Sequence, residues 1–300
     1  MEIIKRKIKI GGKYIMTKLL NANKLDEFMD NKIANMTFLS NNKGRKPKVV
    51  IIKASDDKAS EIYIRNKVKT GAKLGIDVEV IELNENVSNI DIEDLINSLN
   101  NNEEVDGMIL QLPVYKHLDP THLINQICPL KDVDGLTWYA KASLESNKLK
   151  MLPCTPLGVV NMLTLEGVVI AGKNVVVVGK GETAGAPMAT VFRNLDATVT
   201  VCHIKTSKKD LEFYVRHADI VISCVGKQNV LDAEWFKEGS VVIGVGFSYD
   251  ENGKQQLDFD VDKVVEIGKA KLVSQRTNCT GKATVISLMY NTALAYVGKV

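Results

Sequence analysis

The sequence predicts an α/β fold in two domains, an N-terminal β/α domain and a Rossmann-like parallel-sheet nucleotide domain. Three observations carry this. Short β-branched runs at Lys48–Ile52, Val78–Ile81 and Gly107–Gln111 are separated by helix-length segments. The alternation stops over residues 111–158 and resumes at Asn174–Val178. A glycine-rich loop, Gly179-Lys180-Gly181-Glu182-Thr183-Ala184-Gly185, follows that last run directly. Strands alternating with helices build parallel sheets, because a parallel pair needs a crossover between its members.

Each element has a local reason. Lys48–Ile52 follows Pro47 and is apolar almost throughout, as a strand covered on both faces should be. Ser55 or Asp56 can cap the helix that follows, which should end near Gly71 or Gly75. Val78–Ile81 is a second strand, 90–100 a second helix, and Gly107–Gln111 a third strand. Residues 111–158 are rich in turn formers, with Gln111-Leu112-Pro113, Lys131-Asp132-Val133-Asp134-Gly135 and Pro153-Cys154-Thr155-Pro156 among them. Further strands fall at Thr198–Cys202, 220–225 and 241–245, which places a domain boundary near 157. The segment 283–297 is apolar around its whole circumference. It reads as a buried helix returning to the first domain.

Composition removes several classes of function. With 45% hydrophobic and 25% charged residues, 300 residues can bury ordinary cores. No apolar run approaches the roughly 18–20 residues of a membrane span, and the basic N-terminus lacks the apolar core of a signal peptide. Five cysteines (Cys128, Cys154, Cys202, Cys224, Cys279) form no CxxC pair. They read as reduced thiols of a cytoplasmic protein, with no disulfide framework and no metal site. The net charge of +3 is too small and too dispersed to argue for nucleic acid.

Four valines leading into GxGxxxG, with Pro187 and an apolar helix behind, form a strand–loop–helix unit. Glycines let backbone approach a pyrophosphate, and the helix N-terminus adds partial positive charge. An NAD site usually carries an acid about 20 residues on, at the end of the next strand. Here that strand runs into Cys202-His203-Ile204-Lys205-Thr206-Ser207-Lys208-Lys209, with no acid before Asp210. Cations there suit a 2′-phosphate, so NADP is favoured and NAD is possible.

The second chemical feature is Ser60, Tyr63 and Lys67, spaced to share one helical face. A YxxxK helix also occurs in short-chain dehydrogenases, but there it follows the nucleotide loop, and here it precedes it. Three further segments give the patch a different meaning. Ala59-Ser60-x-x-Tyr63-x-x-x-Lys67-x-Lys69, Gln111-Leu112-Pro113, Lys131-Asp132-Val133-Asp134-Gly135 and Pro153-Cys154-Thr155-Pro156-x-Gly158 stand in this order and spacing. Together, and over about residues 17–297, the chain resembles the bifunctional methylenetetrahydrofolate dehydrogenase/methenyltetrahydrofolate cyclohydrolase family. Gly179–Pro187, Val201-Cys202-His203 and Asn291-Thr292 correspond to family motifs as well.

The resemblance implies two reactions at one site. Hydride passes from 5,10-methylenetetrahydrofolate to NADP, and water then opens the methenyl product to 10-formyltetrahydrofolate. It implies Lys67 as the proton carrier, oriented by Gln111, with Tyr63 flanking the reacting carbon. The folate would be bound by Ser60, Tyr63, Gln111, Leu112, Pro113, Asp134 and Gly281, Asp134 accepting from the pterin. The cofactor set is Gly179, Lys180, Gly181, Gly185, His203, Lys205 and Phe247. Cys154 reads as part of a shaping segment, and His117 and His122 as surface residues. A homodimer is implied by resemblance alone. The domains would be 16–157 with 283–300 on the folate side and 158–282 on the nucleotide side. Residues 1–15 have no family counterpart, so this extension is expected to be disordered or translation to begin at Met16.

The chain departs from the family at several points. Lys180-Gly181 stand for Arg-Ser, Ile204 for a serine, Gly244 for an aspartate and Val114 for a second proline. A Pro-Val-Pro-Gly-Gly-Val-Gly-Pro loop is replaced by Gln275-Arg276-Thr277-Asn278-Cys279-Thr280-Gly281-Lys282. Side chains there should reshape the folate-proximal wall or the nicotinamide pocket. These changes motivate the main rival, a folate- or nucleotide-binding paralogue lacking one or both activities. A third reading, an NADP oxidoreductase of some amino-acid-like substrate, leaves the ordered folate motifs unexplained.

Overall fold

The computed structural model describes residues 8–10, 13–15, 17–39 and 44–298. The chain divides into two compact units, Leu25–Leu157 with Thr284–Val300, and Met1–Lys24 with Gly158–Ala283.

The first of these units is built on a three-stranded parallel sheet with Lys48–Lys53 at its centre, Asp77–Glu82 on one side and Gly107–Gln111 on the other. Val49, Val50, Ile51 and Ile52 of the central strand are all fully buried, as its unbroken apolar run requires. The register sets Lys53 beside Gln111. The helix Lys58–Leu74 is capped by Asp57, whose carboxylate accepts from Ser60 N, and not by Ser55 or Asp56 as the sequence suggested. Ser55 is buried, and Asp56 accepts instead from the Tyr115 hydroxyl at 3.0 Å. Gly75 closes the helix in the left-handed region, at φ 72°, where glycine carries no Cβ penalty. Gly71 lets this helix approach the next strand: a Cβ there would lie 2.3 Å from the Val78 side chain.

Asp106 fastens the amino end of the sheet. Its carboxylate takes both Arg45 Nη groups, at 2.6 and 2.9 Å, and Lys48 N at 2.8 Å. The Asp106 side chain is 4% exposed, and Asp106→Ala leaves the Arg45 guanidinium with the carbonyls of Lys46 and Glu103 but no carboxylate, and takes the acceptor from Lys48 N. We expect a loss of about 3–5 kcal/mol in urea unfolding, and a loss under 1 kcal/mol would refute the clip.

The helix Thr280–Tyr296 ends in this unit, where Tyr296 donates to Arg45 O at 2.8 Å. It begins three residues earlier than its apolar circumference indicated, with one residue between it and Asn278, which adopts a positive φ of 52°.

The other unit holds a six-stranded sheet in the order Lys18–Leu20, Leu272–Ser274, Val241–Gly244, Ile220–Ser223, Asn174–Val178, Thr198–Cys202, with every pairing parallel. Residues 17–24 therefore lie with the nucleotide unit, whereas the sequence reading grouped them with the folate side. A three-residue strand whose partner is Leu272–Ser274 leaves no local period to read. Where a disordered extension was expected, Ile8–Ile10 pairs antiparallel with Lys13–Ile15. Met16 and the rest of the extension lie outside the described residues.

From Asn174–Val178 the chain first moves to Thr198–Cys202 on one side, then to Ile220–Ser223 on the other. The strand order thus reverses between Asn174–Val178 and Ile220–Ser223. In open parallel sheets ligands bind beyond the carboxyl ends of the strands at such a reversal.

Candidate functional site

On the folate-side unit, Lys67 and Gln111 come together. Lys67 Nζ donates to Gln111 Oε1 at 2.7 Å, and Gln111 Nε2 donates to Leu112 O at 2.7 Å. The second bond fixes which way the amide faces, so its oxygen is presented to the lysine. Lys67 is half-buried overall, and its ammonium is enclosed. That enclosure lowers its proton affinity below the ordinary lysine value, while Asp134 and Cys154 pull the other way. Lys53, beside Gln111 in register, is a second buried lysine. Its ammonium lies 3.6 Å from Glu61 and 3.5 Å from Glu82, between two carboxylates. Lys67 is the lysine suited to exchanging a proton.

Ser60 is buried, and its hydroxyl donates to Leu112 O at 3.3 Å, tying the helix to the Gln111-Leu112-Pro113 segment. Tyr63 stands half-buried one turn before Lys67. The Leu112–Pro113 bond is cis.

Asp134 sits on a loop organised by Asp132 and Asn291, two motif residues to which the sequence reading gave no role. Asp132 is buried, and its two oxygens accept from the backbone N–H groups of Gly135, Leu136 and Thr137 at 2.8, 3.2 and 2.9 Å. Gly135 has φ 73°, and a Cβ there would lie 2.9 Å from Pro153 Cα. Asn291, fully buried, donates from Nδ2 to Val133 O and to Leu152 O, both at 2.9 Å. It thereby joins the segments on either side of the site. The only sequence signal for Asn291 was its place in a family motif. Burial raises the proton affinity of Asp134, and the Lys67 charge opposes that. Cys154 donates its thiol to Val133 O at 3.1 Å, and burial pushes it well above the ordinary thiol range. A thiol so placed shapes the loop and is no nucleophile near neutral pH.

On the nucleotide unit, Gly179 and Gly185 form a cradle that side chains would fill. A Cβ on Gly185 would lie 2.2 Å from Gly179 O, and one on Gly179, itself at φ 109°, would lie 2.7 Å from Cys224 O. The helix Gly185–Asn194 starts after Ala184 with no side-chain cap. Ala186 N donates to Gly181 O at 3.0 Å and Pro187 has no N–H, so in this turn Gly185 N and the helix dipole are what an anion would meet. Gly181 has open space around it, so its lack of a side chain is not sterically required. Lys180 and Lys205 are exposed. His203 Nδ1 accepts from Lys205 N at 3.2 Å, which puts the ring proton on Nε2 and makes that atom a donor. Ile204 is 92% exposed, an apolar side chain standing in solvent beside it. Phe247 opens the strand Phe247–Tyr249 and packs on the core of this unit. Gly281 is the second residue of the helix Thr280–Tyr296. Among the described residues, no group of three or more His, Cys, Asp and Glu side chains could hold a metal.

Residues 19–134 match the catalytic domain of the tetrahydrofolate dehydrogenase/cyclohydrolase family, and residues 153–299 its NAD(P)-binding domain. The bifunctional protein FolD of Vesicomyosocius okutanii is 38% identical over 85% of this chain and 91% of its own length. Among solved structures, the bifunctional FolD dehydrogenase/cyclohydrolase of Campylobacter jejuni superimposes with a TM-score of 0.89. It is 33% identical, over 95% of this chain and all of that one. The Trypanosoma brucei enzyme, solved with NADP and an inhibitor, gives a TM-score of 0.88 at 31% identity, over 95% of this chain and 98% of its own.

Proposed function

This chain belongs to the tetrahydrofolate dehydrogenase/cyclohydrolase family, and from that premise we propose that Lys67, Gln111 and Asp134 are the working residues of its folate side. The protein oxidises 5,10-methylenetetrahydrofolate to 5,10-methenyltetrahydrofolate with NADP, and hydrolyses the methenyl form to 10-formyltetrahydrofolate.

The observation that carries the assignment is the enclosed Lys67 ammonium hydrogen-bonded to an amide oxygen that Leu112 orients. Hydrolysis forms a bond between water oxygen and the methenyl carbon, and water must lose a proton. The carbon–N5 bond then breaks, N5 takes a proton, and the formyl group stays on N10. A neutral lysine amine can take the first proton and return one to N5. It is available near neutral pH only if its proton affinity is lowered, as enclosure does here and as a cationic substrate would do further. Gln111 holds the amine in place through both protonation states. Asp134, fixed by the Asp132 and Asn291 bonds, is suited to accept from pterin N–H groups.

The glycine cradle and the uncapped helix fit a dinucleotide, with Gly179, Gly185 and the first turn of Gly185–Asn194 facing its pyrophosphate. His203 Nε2, Lys180 and Lys205 would serve the ribose and 2′-phosphate. When bound, NADP supplies the hydride acceptor. The reading extends to a homodimer in the cytoplasm, which light scattering and cell fractionation would check.

Purified protein with methylenetetrahydrofolate and NADP should raise absorbance at the NADPH band, and methenyltetrahydrofolate absorbance should fall faster than in buffer. Folate binding with no signal from NADP or NAD would replace this reading with that of an inactive paralogue.

A further inference from the structure

A closed run of contacts links the lip of the nucleotide crevice to the 275–282 stretch, where this chain departs most from its family. The lip is the Ser223–Lys227 turn, which follows the strand Ile220–Ser223 at the strand-order reversal. Fully buried Asp258 shapes it. Asp258 Oδ2 accepts Ser223 Oγ at 2.5 Å and Val225 N at 2.9 Å, and Oδ1 accepts Lys227 N at 2.9 Å.

Gly246 packs directly on this lip, since a Cβ there would lie 2.3 Å from Gly226 N. Val245 N and Gly246 N both donate to Ser223 O, at 2.7 and 3.0 Å. One residue earlier, Gly244 is gripped from both ends of the divergent stretch. Its N–H donates to Ser274 Oγ at 2.8 Å, and its carbonyl accepts Thr280 Oγ1 at 2.9 Å. Gly244 itself suits this packing: a Cβ on it would lie 2.6 Å from the Leu257 side chain, so the aspartate usual in the family would collide.

Arg276 closes the run. Its Nη2 and Nη1 reach the two oxygens of Asp262 at 2.8 and 3.2 Å. Nη2 also lies 3.3 Å from Asp260 Oδ1, and Nε donates to Gln256 Oε1 at 3.2 Å. Asp260 and Asp262 follow Asp258 by two and four residues on the same segment. Exposed ion pairs usually hold little. The Asp262 carboxylate is 80% exposed, so this pair stands out by its geometry: the Arg276 side chain is only 19% exposed, its contact with Asp262 is two-pronged, and it has two further acceptors. Proline and glycine fix a loop through backbone restriction, and Arg276 can fix this one through its fork.

We propose that Arg276 is a positioning residue for the dehydrogenase reaction, anchoring the 275–282 stretch to the Asp258–Asp262 segment and so setting the crevice lip. This rests on the dehydrogenase reading above.

The test compares wild type with Arg276→Ala, Arg276→Lys, Asp262→Asn and the Arg276→Ala/Asp262→Asn double variant. Dehydrogenase and cyclohydrolase rates and NADP affinity by calorimetry are measured for each. Arg276→Ala should raise the KM and Kd for NADP about five- to twentyfold, with dehydrogenase kcat and cyclohydrolase rate within about twofold of wild type. Lysine keeps the charge but not the fork, so Arg276→Lys should recover only part of the loss. Asp262→Asn should reproduce a share of it, and the double variant should be no worse than Arg276→Ala. Unchanged KM and Kd in Arg276→Ala overturn the proposal, as does a parallel fall of both activities, which would mark Arg276 as a folding residue. Should Arg276→Ala fail to fold, Arg276→Lys and Asp262→Asn decide by the same KM and Kd criterion. A wild type that binds but does not reduce NADP would end the dehydrogenase reading separately.

Discussion

Replacing Lys67 by Met should abolish methenyltetrahydrofolate hydrolysis while leaving folate affinity within about tenfold of wild type. Methionine keeps much of the length of the stem and removes the amine that is hydrogen-bonded to Gln111. The same change should alter stability in a direction opposite to activity. Burial lowers the proton affinity of Lys67 in the folded chain, so between that lowered value and about 10.4 the unfolded chain binds more protons. Stability therefore rises with pH through that window, and below it the penalty for burying the charge stands in full. Lys67→Met lacks the penalty. The variant should unfold at higher urea than wild type at neutral pH, and the advantage should shrink as pH climbs. A stem-preserving variant that still hydrolyses methenyltetrahydrofolate above the uncatalysed rate would take Lys67 out of its role.

Gly185→Ala should do the reverse, removing dinucleotide binding and sparing hydrolysis. An alanine methyl would stand 2.2 Å from Gly179 O, and Gly179 cannot retreat, because its own Cβ position lies 2.7 Å from Cys224 O. Both obstacles are backbone, so no side-chain rotation relieves them. The loop must open, and the close backbone approach at the start of Gly185–Asn194 that a pyrophosphate needs is lost. NADP affinity is expected to fall about 100-fold or more, with overpacking costing about 1–3 kcal/mol of stability. The cyclohydrolase rate, which needs no dinucleotide, should stay within about twofold. Calorimetric titration with NADP decides the point: near-wild-type affinity would show that the cradle has slack the distances deny.

The parts of this molecule that the sequence made legible are those with a local period or a fixed local spacing. Lys48–Lys53 announces itself by four consecutive buried aliphatics, and Lys67 shares a helical face with Tyr63. The cradle glycines could be read because steric need at Gly179 and Gly185 is expressed as residue type. What the sequence left without a place or a role depends on pairing across long separations. Lys18–Leu20 is a strand only because Leu272–Ser274 lies beside it. Asn291 matters through Val133 and Leu152, more than a hundred residues earlier, and Asp258 through amides of the Ser223–Lys227 turn. A cap was misplaced for a related reason. Ser55, Asp56 and Asp57 are all competent caps by type, and only the entry of the chain, with Asp57 at ψ 116°, selects one.

The interleaving of the two units has a consequence for how this protein comes off the ribosome. One unit needs Lys18–Leu20 together with Leu272–Ser274, and the other needs the Thr284–Val300 stretch that carries Asn291 and Tyr296. Neither can be completed while the chain is still short, so an emerging polypeptide holds two unfinished cores until synthesis is nearly over. Domain-by-domain folding during translation, common in chains of contiguous domains, is closed to it. The two activities should therefore appear together, late and abruptly, in a timed translation reaction, and ribosome-stalled chains ending before Leu272 should show neither.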